Sequence, residues 1–276
     1  MALNKNLLII AMLAFPHLSL ATIKHIDMNN TSCESDYHSA VSSLKEHCIR
    51  LVSPDLSKKQ ADELIIYLHG DYGIGGSSYM SGIAAHFSKP NRMNIALIRP
   101  GYFDDNGNFS SGSSLGVTST KITGRLDSYT RENVDIIADA ISNLKKNYKS
   151  KRVVVIGHSG GAALAALILN FYPQLIDKVL LINCPCDVKQ WRPDWEHSLS
   201  PIENINLISP KAKIDILSGA ADDVVFPELC KRYAHELNKI NNKTEFFLGI
   251  GMKHNLSDET TRGMVLQHIQ KFLDKD

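Results

Sequence analysis

Ser159 stands in "GHSGG" (157–161), a serine set among glycines that ends the apolar run "VVVI" and opens onto "AALAALIL". A serine hydroxyl is a weak nucleophile unless a base takes its proton and a carboxylate orients that base. Two stretches downstream offer both. "IDILSGAADDVVFP" supplies Asp222 and Asp223, and "EFFLGIGMKHNLSD" supplies His254. A serine, an acid and a histidine in that order suit covalent acyl transfer, in which Ser159 attacks an ester or amide carbonyl and water later releases the acyl group.

Such chemistry needs particular elements around it. A G-x-S-x-G turn raises its serine only between a strand and a helix, and the flanks of Ser159 are β-branched on one side and helix-forming on the other. The turn is sharp, so Gly157 and Gly161 stand where side chains would collide. The N–H of Gly160, at the helix start, is the first expected donor to an oxyanion. The competing reading, a small residue in a chance Gly-Ser-Gly turn, explains neither flank.

The rest of the chain repeats this alternation. "ELIIYLHG", "NIALIRPG", "RVVVIGHSG", "KVLLINCP", "AKIDILSG" and "EFFLGIG" are short apolar runs stopped by Gly or Pro, and "HCIRLVSP" is a possible earlier strand. Their continuous hydrophobicity predicts strands covered on both faces, as in a parallel sheet. Helical patterns fall at 125–148, 162–172, 227–240 and 258–273, and the second of these is apolar all round. The expectation is an α/β chain with a mostly parallel central sheet and helices on both faces.

With "YLHGDYG", "IRPGYFDDNGNFSSG", "GHSGG", "SGAADDVV" and "MKHN" in place, residues 60 to 276 resemble an α/β-hydrolase. The segment "GAADDVV" is similar to one in the prolyl-oligopeptidase-like and dienelactone-hydrolase-like branches, where the first Asp of the pair is catalytic. That likeness implies Asp222, with Asp223 as the alternative. It also implies that the second oxyanion donor is a backbone N–H of Asp71 or Tyr72 in "HGDYGIGG" (69–76), and that His158 faces the scaffold. No metal or organic cofactor is implied. "QWRPDWEHSLSP" (190–201), within the 29 residues 185–213, is the only room for a lid, so a small one or none is expected. Trp191 and Trp195 there either form a substrate pocket or pack structurally.

Composition bounds the rest. The chain of 276 residues is 43% hydrophobic and 21% charged, enough for one full-sized core. Residues 1–21, with Lys5, an apolar run and "SLA", read as an export leader cleaved after Ala21, too short to span a bilayer comfortably. Its removal takes one Lys and no acid from 30 basic and 29 acidic residues, leaving no net charge and no electrostatic case for nucleic acid or anionic membranes. The expected layout is a leader, an N-terminal segment 22–55 and a catalytic domain 56–276, in a secreted or periplasmic protein. Export puts the five cysteines in an oxidising compartment. A Cys33–Cys48 bridge is expected there, with Cys230 joined to Cys184 or Cys186 and one thiol left over. The expected activity is a serine carboxylesterase, the alternatives being a peptidase and a non-catalytic binding member of the fold.

Overall fold

The computed structural model describes residues 39–44, 47–71, 79–106, 108–112 and 127–275. The leader expected at 1–21 lies outside them. The strands are β1 (Ala40–Ser43), β2 (His47–Val52), β3 (Glu63–Leu68), β4 (Arg92–Leu97), β5 (Arg152–His158), β6 (Lys178–Ile182), β7 (Lys213–Gly219) and β8 (Thr244–Gly249). They form one eight-stranded sheet in the order β1-β2-β4-β3-β5-β6-β7-β8. β2 runs antiparallel to β1 and β4, and the strands from β4 to β8 are parallel. This is the α/β-hydrolase architecture.

Six apolar runs of the sequence become the six parallel strands; β3 to β7 are buried along nearly their whole length on both faces, whereas β8, at the sheet edge, is only partly covered. On one face, Ile66, Val155, Val179 and Ile214 pack with the helices α2 (Arg131–Asn147), α3 (Gly160–Phe171) and α5 (Pro227–Asn238). On the other, Ile65, Val154, Ile156 and Leu180 meet α1 (Tyr79–Ala85) and α6 (Glu259–Asp274). α3 is buried from Gly160 to Asn170, as its uniformly apolar sequence requires. α2 begins at Arg131, later than the pattern from 125 suggests, because the Thr130 hydroxyl caps it by accepting from the Asn133 N–H at 3.2 Å.

The described part of the N-terminal segment 22–55 contributes strands to the sheet. β1 and β2 extend the same sheet, and β1 arises from residues whose polar surroundings obscured the strand "AVSS". Between β6 and β7 stand a short helix α4 (Val188–Trp191) and a 3-10 helix (Pro201–Leu207), the small lid-sized connection. It is fastened down: Asp127 accepts from the His197 and Ser198 N–H groups at 3.0 and 2.8 Å, and the Leu199 N–H donates to the Tyr129 carbonyl at 3.0 Å.

The cysteines depart from expectation. Cys184 is bridged to Cys186, and Cys230 is a buried free thiol. The intervening Pro185 turns the chain back so that the two Cα atoms lie 5.1 Å apart, inside the range a disulfide spans. Sequence proximity argued against this pairing, but the local turn decides it. The Cys230 thiol instead donates to the Cys184 carbonyl at 3.2 Å, and burial pushes it up to about 12. Cys48 is disulfide-bonded, while Cys33 lies outside the described residues.

Candidate active site

The parallel strands all deliver their carboxyl ends to one edge of the sheet, and the loops there carry the site. Ser159 follows β5 with φ 54° and ψ −123°, left-handed backbone that an L-residue holds only when its surroundings enforce it, at a cost of about 1–3 kcal/mol. The enforcement is visible. Ser159 N–H donates to the Ile182 carbonyl at 2.9 Å, and its own carbonyl accepts from Ala162 and Ala163 at the start of α3. A Cβ on Gly157 would meet the Ala162 Cα at 2.6 Å, and one on Gly161 would collide with the Leu68 carbonyl oxygen. The two glycines let helix, elbow and β3 close together.

Asp222 and His254 come from the loops after β7 and β8. His254 Nε2 lies 3.0 Å from Ser159 Oγ, and His254 Nδ1 lies 2.8 Å from Asp222 Oδ2. Asp222 is 3% exposed, and its Oδ1 accepts from the Val224 and Val225 N–H groups at 2.9 and 2.8 Å. Two backbone donors and the imidazole fix that carboxylate. Asp223 is exposed, and the carboxylate in contact with His254 is that of Asp222.

A residue absent from the sequence reading ties both loops together. Asn183, at φ 49° just past β6, accepts the Gly219 N–H on Oδ1 at 2.9 Å and donates from Nδ2 to the Lys253 carbonyl at 3.1 Å. The only hint in the sequence is a polar residue closing the apolar run "KVLLIN".

On the other side of Ser159 runs the segment Gly70–Asp71. A Cβ on Gly70 would stand 2.9 Å from the Ser159 Cβ, so this backbone abuts Ser159. Gly70 N–H is already committed to the Tyr79 hydroxyl at 2.6 Å. That leaves Asp71 as the nearest expected backbone donor to pair with Gly160, whose N–H, first in α3, has no intrahelical acceptor. Tyr72 lies outside the described residues.

The Asp71 side chain is a structural anchor. Its carboxylate meets Arg99 Nη1 at 2.8 Å, the Tyr129 hydroxyl at 2.5 Å and the Tyr102 hydroxyl at 3.2 Å, and both Asp71 and Arg99 side chains are 1% exposed. Burial alone would lower the Arg99 pKa, but the Asp71 carboxylate more than offsets it and holds the guanidinium charged. Burial, reinforced by that carboxylate, raises both phenols and keeps them protonated donors.

Trp191 and Trp195 are each 8% exposed and pack edge to face, ring centroids 5.5 Å apart, with Trp195 also against Tyr129. Trp191 Nε1 donates to the Val224 carbonyl at 2.8 Å, bracing the loop that holds Asp222. These contacts meet the structural side of the alternative. Trp191 also borders a cavity of about 530 Å³ with Arg192, Asp223, Val224 and Phe226. Among the described residues no group of three or more His, Cys, Asp or Glu side chains is arranged to hold a metal ion, and no helix is long and apolar enough to cross a membrane.

The family model described as Lipase (class 3) matches residues 108–173, a stretch containing α2, β5, the Ser159 elbow and α3. Comparison with curated proteins finds no match. Among solved structures, the esterase Pf2001 of Pyrococcus furiosus superposes with a TM-score of 0.64 at 18% identity, over 85% of this chain and 90% of that one. Est1E from Butyrivibrio proteoclasticus gives 0.60 at 12% identity, over 85% and 97%. Est2 of the Planctomycetes species Thermogutta terrifontis, with propionate bound, gives 0.57 at 17%, over 85% and 93%. The eight-stranded sheet, its helices on both faces and these superpositions identify the chain as a member of the α/β-hydrolase fold.

Proposed function

We propose that the protein is a serine hydrolase cleaving carboxylic esters of small or medium acyl groups through an acyl-enzyme on Ser159. The observation that carries this reading is the continuous line Ser159 Oγ, His254, Asp222, with contacts of 3.0 and 2.8 Å. His254 accepts the Ser159 proton as Oγ attacks the carbonyl carbon, then returns it to the leaving alcohol. Asp222 keeps Nδ1 protonated and Nε2 facing the serine, and stabilises the imidazolium. The N–H groups of Gly160 and Asp71 receive the developing oxyanion, where a fixed donor is worth about 3 kcal/mol. Water, activated by His254 in turn, releases the acid.

The esterases among the structural neighbours, one described with propionate bound, support the ester reading, and a dipeptidyl peptidase 4 of the same fold among them is the reason amides belong in its test. The Cys184–Cys186 bridge supports an exported protein in an oxidising compartment, consistent with a leader at 1–21. Mass analysis of the chain from an exporting host checks this: a mature end at Thr22 is expected, and retention of Met1 in the secreted or periplasmic fraction overturns it.

Labelling by a fluorophosphonate probe, compared between the native chain and Ser159→Ala, tests the hydrolase reading. Labelling that depends on Ser159 is expected; folded native protein that does not label overturns it in favour of a non-catalytic binding role. A panel of p-nitrophenyl esters and aminoacyl amides then tests the substrate class. Turnover of amides alone replaces the esterase with a peptidase.

A further inference from the structure

Four groups from four parts of the chain form one directed hydrogen-bonded line beside the proposed site. Gly70 N–H donates to the Tyr79 hydroxyl oxygen at 2.6 Å, Tyr79 Oη lies 2.8 Å from His158 Nδ1, and His158 Nε2 lies 3.0 Å from the His254 carbonyl oxygen. With the His158 ring neutral, one arrangement of protons satisfies all three contacts. A carbonyl only accepts, so His158 carries its proton on Nε2. Its Nδ1 then offers a lone pair, which the Tyr79 hydroxyl fills by donating, leaving the phenol oxygen to accept from Gly70.

We propose that Tyr79 and His158 are positioning residues that hold the Gly70–Asp71 backbone, the Ser159 elbow and the main chain of His254 at fixed separations, so that oxyanion donor, nucleophile and base stay in register. The line begins one residue before Asp71, passes through the residue before Ser159 and ends on the carbonyl of the base itself. Neither the Asp222 contact nor the Asn183 bridge reaches the oxyanion side, so this line adds a side-chain connection from that side to the His254 main chain, beyond the pairing of β3 with β5 that ends at Leu68 and Gly157. Its middle member stays neutral. His158 is 2% exposed, and burial, aided by the nearby His254, lowers its pKa to about 3. A ring that charged near neutrality would turn Nδ1 into a donor facing the Tyr79 hydroxyl. The rings of His158 and His254 also lie 5.1 Å apart, so a shift of one is felt by the other.

The inference rests on the proposed acyl chemistry, and Tyr79→Phe tests it. That variant deletes one oxygen and keeps the ring at the start of α1. The expected result is a fall in kcat of about 10- to 100-fold, the scale of a displacement near 1 Å, with KM little changed. Affinity for an alkyl boronic acid, which forms a tetrahedral adduct on Ser159, should fall by the same factor as kcat/KM. A purely structural role predicts a lower Tm with kcat and boronate affinity unchanged, and that result overturns the proposal. Should Tyr79→Phe not fold, His158→Gln and His158→Leu decide. The glutamine amide keeps an acceptor and a donor side by side and should retain most activity, whereas the leucine should lose it; equal activity in both overturns the proposal. If native protein shows no Ser159-dependent labelling, the hydrolase reading itself has failed. If native protein labels and turns over while Tyr79→Phe matches it, only this inference has.

Discussion

Asn183 Nδ2 donates to the Lys253 carbonyl at 3.1 Å, one residue before His254, across 70 positions of sequence. Its Oδ1 meanwhile accepts from Gly219, three residues before Asp222. The loops that carry Asp222 and His254 are therefore spaced by a single carboxamide held in left-handed backbone at the end of β6.

Replacing that carboxamide should loosen the pair. Asn183→Ala loses both hydrogen bonds and strains the backbone; Asn183→Gly loses the bonds but accepts the positive φ. Both are expected to lower kcat by about tenfold, with the glycine variant more stable than the alanine variant by roughly 1 kcal/mol. Steady-state kinetics and urea denaturation separate the two effects. Unchanged kcat in the glycine variant would remove Asn183 from the site.

Asp222 and Asp223 differ in burial and partners although they are neighbours in sequence. Asp222→Asn should lower turnover by roughly ten-thousand-fold by favouring the wrong tautomer of His254. Asp223→Asn, at an exposed carboxylate, should alter kcat only slightly. The opposite ranking in ester hydrolysis would reassign the acid.

Asp71 and Arg99 form a buried ion pair at 2.8 Å, each side chain 1% exposed. Asp71→Ala leaves the guanidinium without its counter-ion and should cost about 3–5 kcal/mol of stability, read from the urea midpoint. Removing both charges in Asp71→Leu/Arg99→Met should recover part of that loss, because no lone buried charge remains. A double variant no more stable than Asp71→Ala would show that the charge is not the cause.

Acid should destabilise the fold through His158. The ring is neutral when folded down to about pH 3, whereas in the unfolded chain it takes a proton below its ordinary 6.5. The unfolded state therefore binds more protons between these values, so the contribution to stability is complete above about pH 6.5 and is lost as pH falls from there towards 3. His69, buried beside Arg99 and likewise depressed, acts in the same direction. Asp258, which caps α6, is lowered to about 2 by the Thr261 N–H and loses its contribution only below its ordinary 3.8. Tm measured from about pH 7 to 4.5 should fall, and His158→Gln should flatten the decline. An identical slope in both proteins would contradict this assignment.

Ser159 with its flanking glycines, His254, the Asp222–Asp223 pair and the six parallel strands were legible in the amino-acid sequence. Each depends on a local rule: an elbow needs small neighbours, a strand buried on both faces is continuously apolar, and loops at strand ends carry the reactive groups. The sequence by itself thus set the expected chemistry and the order in which its residues arrive. The family likeness pointed to Asp222 and the residues of β2 were a possible strand; tertiary structure showed the Asp222 carboxylate against His254, and it alone decided that Cys184 bridges Cys186, that β1 joins β2 in the sheet, and that Trp191 braces a loop. It also revealed Asn183, Tyr79, His158 and the Asp71–Arg99 pair as the groups that space the site. The hydrogen bonds these spacing groups make join residues 9 to 96 positions apart across a few ångströms. No local pattern encodes such a distance; it exists only once the strands have stacked and brought their carboxyl ends to one edge.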